Sequence, residues 1–199
     1  MLNVATERGF QKLLSLIETR LQTREAVFVA IDGPCGAGKT ALAEKLRERL
    51  PANVFHVNHF TLPLDRRTES QLSQVAGHMD FERLRREVLW PLKHGQRVFT
   101  GIYDPEQNRI RDKWEYIPKP VTIVEGTYSG HPSVRGIYDL TVFVSVSRSQ
   151  QKKRLASHGD RRRSLRWNRW WLPAETRYFR AFSIKEKSDI VCQYNPTER

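Results

Sequence analysis

The segment that most restricts this chain is Gly33-Pro34-Cys35-Gly36-Ala37-Gly38-Lys39-Thr40, which fits G-x-x-x-x-G-K-[ST]. An apolar run, Ala26 to Ile31, stands just before it and reads as a strand buried on both faces. Leu42, Leu46 and Leu50 follow on one face of an expected helix, which Pro51 stops. A glycine loop between strand and helix can turn successive backbone amides inward onto a phosphate, and the helix dipole adds to that attraction. Lys39 is placed to reach β- and γ-phosphate oxygens, and the Thr40 hydroxyl to bind Mg²⁺. The nucleotide-contacting stretch is expected to be Gly33, Pro34, Cys35, Gly36, Ala37, Gly38, Lys39, Thr40 and Ala41. Chance alone yields the pattern in roughly 1% of chains this long, so it is read as a phosphate loop. Cys35 has no base beside it in sequence and is read as a small residue at a variable loop position.

Around the loop, strands and helices alternate. Phe10, Leu13, Leu14, Ile17 and Leu21 recur at helical spacing. Short apolar strands are expected at 54–57, 98–102, 121–124, 140–146 and 189–192. A helix capped by Asp80 should bury Phe81, Leu84, Val88 and Leu92 and end near Gly95. Residues 62–78 read as a polar loop without a period, and 104–120 as an excursion from the sheet. Arg148 to Ala156 should be helical. Trp167, Trp171, Tyr178 and Phe182 mark the buried side of a last helix, broken or bent near Pro173. The fold class is therefore α/β: three layers, a mostly parallel sheet with helices on both faces, and one domain over 1–199.

Composition limits the function classes. With 39% hydrophobic and 28% charged residues the chain suits a soluble globular protein. No apolar run approaches the ~20 residues that span a bilayer. The first residues lack a secretory signal pattern, and two cysteines, Cys35 and Cys192, make no disulfide framework, so a cytoplasmic location is expected. The net charge is +12. Eleven Lys and Arg against Asp160 and Glu175 put +9 of it between Arg148 and Arg180. Such a block can serve a polyphosphate ligand or a nucleic acid backbone.

The motifs in order are Val27–Thr40, Phe55-His56-Val57-Asn58-His59-Phe60, and His78-Met79-Asp80-Phe81-Glu82-Arg83. Ile102-Tyr103-Asp104, Val121–Tyr128, Tyr138-Asp139-Leu140 and Trp171–Phe179 with Asp189-Ile190-Val191 follow. Together they resemble the uridine kinase branch of the uridine kinase–phosphoribulokinase–pantothenate kinase family. The resemblance implies an ATP- and Mg²⁺-dependent phosphotransferase acting on a hydroxyl of a small, nucleoside-like molecule. Glu125 matches an acid that helps hold Mg²⁺ with Thr40. The basic stretch, about 157–168, matches a lid whose arginines, Arg161, Arg162 and Arg163, close over the phosphates. Asp80, Tyr103 and Asp104 match the acceptor side. Each has a plainer reading. Glu125 could be a helix cap, the arginines a solvated run or a nucleic-acid patch, and Tyr103-Asp104 a strand-end turn. Trp167 and Trp171 read as core rather than as base-stacking rings.

One position departs from the family. Where it carries an aspartate that accepts the proton of the attacking hydroxyl, this chain has Asn58, followed by His59. Asparagine cannot take that proton. A histidine ordinarily titrates near neutrality, so His59 could substitute, although neighbours on an extended segment point to opposite sides; Asp80 and Asp104 are the alternatives. The alternatives are a nucleotide-binding regulator without transferase activity and, third, a nucleic-acid-binding protein.

Overall fold

The computed structural model describes residues 1–157 and 167–194, of Trp167 and Asn168 the backbone only. Its main sheet has six strands in the order β1-β8-β7-β2-β6-β3, every pair parallel. They are β1 (Leu2–Asn3), β2 (Val27–Asp32), β3 (Ala52–His56), β6 (Val121–Glu125), β7 (Leu140–Ser145) and β8 (Ile190–Gln193). The phosphate-loop strand β2 sits between β6 and β7, and all six of its residues are buried. A continuous apolar run is what a strand covered on both faces requires.

Alternation along the strands divides the core in two. Val27, Val29 and Ile31 of β2, Ile123 of β6 and Val142 of β7 face one cluster. Helices α1 (Glu7–Leu21) and α2 (Lys39–Arg49) cover that cluster with Phe10, Leu13, Ile17, Leu42 and Leu46. Phe28, Val124 and Phe143 point the other way, onto Leu84, Val88, Leu89 and Tyr178. Successive strand residues face opposite sides, so period 2 builds the three layers. The three-layer α/β expectation is met.

Several local expectations are revised. Leu50 is not in α2: it is extended beyond the helix end, yet buried against the same core. Residues 62–78 are not an unbroken loop. Glu69–Ser73 is a short helix in which Thr68 and Gln71 form a capping box, a signal present in the sequence as T-x-x-Q. β1 has two residues and carries no strand pattern. β4 (Val98–Asp104) pairs antiparallel with β5 (Arg109–Tyr116) in a hairpin apart from the main sheet. Asp80 caps its helix as expected, accepting the Arg83 amide at 2.9 Å, and the chain then stays helical to Lys93 with a π turn at Arg85–Leu89. The last helix runs Leu172–Phe182 and is entered from a π turn at Trp167–Trp171. Pro173 lies just past this π turn, where its missing N–H interrupts the helical ladder, as the break or bend expected there requires. Tyr178 is fully buried, but Trp171 is 44% exposed, so its reading as core is corrected; its ring meets His78 edge-on at 5.7 Å. No helix among the described residues is long and apolar enough to cross a membrane.

Candidate active site

The site lies at the carboxyl ends of β2, β3 and β6, where parallel sheets place their ligands. Register does the first part of the work. Glu125 is the residue in line with Ile31 on one neighbouring strand and with His56 on the other. One residue past the end of β2 the chain turns at Gly33, whose φ of 142° suits glycine. A Cβ there would sit 2.3 Å from the Val144 carbonyl oxygen. Gly36 (φ 73°) and Gly38 (φ 97°) complete the curl, and α2 starts at Lys39. The first turn of any helix leaves its amides without intrahelical acceptors, so this loop presents donors to an anion.

Lys39 is nearly buried, 8% exposed, with its ammonium 2.9 Å from the carbonyls of Gly33 and of Pro34. Thr127 closes the same corner, its hydroxyl donating to the Gly33 carbonyl at 2.9 Å. The Thr40 hydroxyl donates to Glu125 Oε1 at 3.0 Å. A hydroxyl and a carboxylate converging at the loop are hard oxygen donors, the set that suits Mg²⁺ alongside phosphate oxygens. Gly33, Lys39, Thr40 and Glu125 are thus brought together.

From Glu125 the site continues to two histidines. His56 Nδ1 lies 2.5 Å from the same Oε1, and this hydrogen bond raises the His56 pKa. The His59 ring meets the His56 ring at 5.0 Å. Val57–Phe60 is a 3₁₀ turn rather than the extended segment expected, so Asn58 and His59 diverge by about a third of a turn instead of alternating across a strand. Asn58 is exposed and His59 half-buried towards the Glu125 side. Burial, followed by the neighbouring His56, pushes the His59 pKa down to about 4. Arg83, itself 5% exposed, donates to the His59 carbonyl and to that of Gly101 at 2.9 Å, which holds the turn. Asp80 lies next to this turn, its amide donating to the Phe60 carbonyl at 2.7 Å.

Two other expected site residues sit in the β4–β5 hairpin, which Arg83 ties to the His59 turn. Asp104 is buried in the β4–β5 turn, where it accepts the Glu106 amide at 2.9 Å and Arg111 Nε at 2.5 Å. The Tyr103 hydroxyl donates to Asn108 in the same hairpin at 3.1 Å. Both are engaged in turn structure. Arg161, Arg162 and Arg163 lie outside the described residues.

Sequence reasoning missed two buried acids. Asp32, 2% exposed, accepts the Gly33 amide at 2.6 Å, the Gly130 amide at 2.8 Å and the Tyr178 hydroxyl at 2.7 Å. An acid ending a buried strand just before the motif glycine was the available signal. Glu175, 4% exposed, accepts the Cys35 amide at 2.9 Å and Gln151 Nε2 at 2.7 Å. Gln151 Nε2 also donates to the Cys35 carbonyl at 3.0 Å, and Arg154 to the Gly36 carbonyl at 2.8 Å. The C-terminal helices therefore brace the crest of the phosphate loop. Glu175→Ala leaves buried donors unpaired and is expected to cost about 1–3 kcal/mol. It should also weaken ATP binding, with Glu175→Gln falling between. Thermal denaturation and calorimetry would check this, and an unchanged pair of values would refute the brace.

The histidines set a pH dependence. His59, His78 and His131 are each pushed down to about 4, chiefly by burial. His131 stacks on Phe81 with centroids 4.0 Å apart, and His78 packs edge-on against Tyr128. Each is neutral in the fold, whereas the unfolded chain takes up protons below about pH 6.5. The stability is thus whole above pH 6.5 and falls as pH drops towards 4. On the order of 1–2 kcal/mol per histidine remains after solvent screening. His56, raised by Glu125, acts oppositely, losing its contribution as pH rises. Urea unfolding at several pH values should show a net loss of stability on acidification; a flat profile would contradict it.

No family model matches the chain. In sequence it is 28% identical over 149 residues to uridine-cytidine kinase C of Dictyostelium discoideum, covering 70% of this chain and 32% of that protein. It is also 29% identical over 147 residues to inorganic pyrophosphatase TTM2 of Arabidopsis thaliana, covering 70% and 21%. The chain thus spans about a fifth to a third of the curated relatives it matches. Among solved structures it superposes on one described as a possible uridine kinase from Bacillus stearothermophilus, with a TM-score of 0.68 at 21% identity, covering 92% of this chain and 99% of that one. The fold is that of the uridine kinase-like P-loop kinases. The same uridine kinase-like architecture aligns with D-glycerate 3-kinase from Cryptococcus neoformans at a TM-score of 0.58 and 15% identity, covering 82% and 86%.

Proposed function

We propose that this chain is an ATP-dependent phosphotransferase that moves the γ-phosphoryl group to a hydroxyl of a small molecule, with nucleosides such as uridine as the acceptor class. The observation that carries the reading is the continuous line from Lys39 and Thr40 through Glu125 to His56 and His59. It joins a triphosphate cradle to a base at the sheet's carboxyl edge. Residues Gly33 to Ala41 would wrap the phosphates, with Lys39 set against the β and γ oxygens. Thr40 and Glu125 would hold Mg²⁺, which when bound offsets the phosphate charge. Asp80, beside the Phe60 carbonyl, would face the acceptor, with Tyr103 and Asp104 shaping the hairpin next to it. Arg161, Arg162 and Arg163 would neutralise the transferring group from the lid.

His59 is assigned the role that Asn58 cannot fill. The acceptor oxygen bonds to the γ-phosphorus, the bridging P–O bond breaks to release ADP, and the hydroxyl proton passes to the His59 imidazole. An imidazole that titrates at about 4 stays unprotonated at neutral pH. It is then about as basic as an ordinary aspartate. A positioned base contributes roughly 10²–10⁴-fold. His59→Ala should therefore lower kcat by that order while ATP binding persists, and Asn58→Ala should change little. ADP release would be followed with nucleosides, pantothenate and sugars as acceptors; turnover with none of them would sink the proposal.

Asn58 also favours a second reading, a nucleotide-binding regulator that has lost transfer. There ATP binds without turnover and Asn58→Asp restores it.

A further inference from the structure

A cleft of about 740 Å³ opens between the helices Arg148–Ser157 and Leu172–Phe182. Arg148 and Lys152 line it from the first helix, one turn apart; Arg177 and Arg180 line it from the second, on a floor of Leu172 and Pro173. Among the described residues no carboxylate lines it. Like charges gathered in a concave surface repel one another and focus a positive potential that favours an anion. The cleft is separate from the phosphate loop: no residue of Gly33–Ala41 lines it. Gln151 and Glu175, which do touch the loop, point from the same two helices towards Cys35 instead.

We propose that this cleft is a second anion site that binds an oligophosphate, either a nucleoside diphosphate or a short inorganic phosphate chain. Among the described residues three of its four cations are arginines, whose planar forks match pairs of phosphate oxygens. One arm of Arg177 donates to the Ser73 carbonyl at 3.1 Å and one of Arg148 to Gln151 Oε1 at 3.5 Å, and the guanidinium groups carry further N–H donors. Its volume lies within the ~300–1,000 Å³ range of small-molecule sites, and its apolar floor can seat a base or ribose. A nucleic acid backbone needs instead an open basic track along which contacts repeat.

The test uses the full chain carrying Lys39→Ala, which removes the loop's own ammonium, titrated calorimetrically with ADP and with tripolyphosphate at physiological salt. Saturable binding is expected, weakened about tenfold or more by Arg148→Ala and again by Arg180→Ala. Arg148→Lys should keep most of it. The tighter of the two probes identifies the source as nucleotide or inorganic. Three results would overturn the site: no saturable binding of either probe, binding indifferent to the arginine substitutions, or an RNA oligonucleotide held by these arginines that neither probe displaces. Because Lys39 is already absent, none of them bears on the kinase reading.

Discussion

Lys39→Ala is expected to abolish triphosphate binding at the phosphate loop, read in an Arg148→Ala/Arg180→Ala background that removes the cleft, and to lower phosphoryl transfer by roughly 10³-fold or more. One preorganised donor aimed at developing charge is typically worth 10²–10³ in rate, and this one also carries a full charge in a nearly buried corner. The same ammonium ties the carbonyls of Gly33 and Pro34, so its loss also loosens the cradle that the glycines shape. Lys39→Arg keeps the charge but spreads it over a planar fork, and should recover binding only in part. Calorimetry with an ATP analogue, with circular dichroism to confirm folding, gives the readout. Wild-type affinity in Lys39→Ala would remove the basis for reading this chain as a nucleotide-binding protein.

The largest expected loss of stability belongs to Asp32→Ala. The Asp32 carboxylate gathers donors from three places: Gly33 at the loop, Tyr128 and Gly130 after β6, and the Tyr178 hydroxyl from the last helix. Tyr128 adopts a left-handed φ of 88°, a conformation that costs a non-glycine residue and persists only where its surroundings impose it. Burial raises the Asp32 pKa, which measures the cost of keeping the acid there, and its donors work against that shift. Deleting the acceptor leaves several buried donors unpaired at about 1–3 kcal/mol each, partly offset by relief of the buried acid. A net loss of about 3–4 kcal/mol is expected, with Asp32→Asn near half of that because one acceptor oxygen remains. Urea unfolding would measure both; a loss below about 1 kcal/mol would show that Asp32 does not organise this junction.

The comparison of expectation with structure turns on how far apart the interacting residues lie. β2, the glycine loop and α2 were legible because strand, turn and helix signals there are contiguous. The Asp80 cap was legible for the same reason. The turn after β3 was harder. Asn58 and His59 were named by the family resemblance, but the extended segment assumed for them is a 3₁₀ turn, in which Asn58 is exposed and His59 half-buried. Trp171 misled because helical spacing identifies a face without saying what covers it.

Local spacing in this sequence was enough to determine a phosphate-loop α/β chain and to nominate Lys39 and Thr40, while Glu125 was named by the family resemblance. Only tertiary structure decided that Glu125 meets Thr40 across 85 residues and His56 across 69, and that Tyr178 closes on Asp32 across 146. The reason is physical. Parallel strands are joined by long crossovers, so their order and register, which set these neighbours, follow from burying two apolar faces at once and from no nearby run of residues.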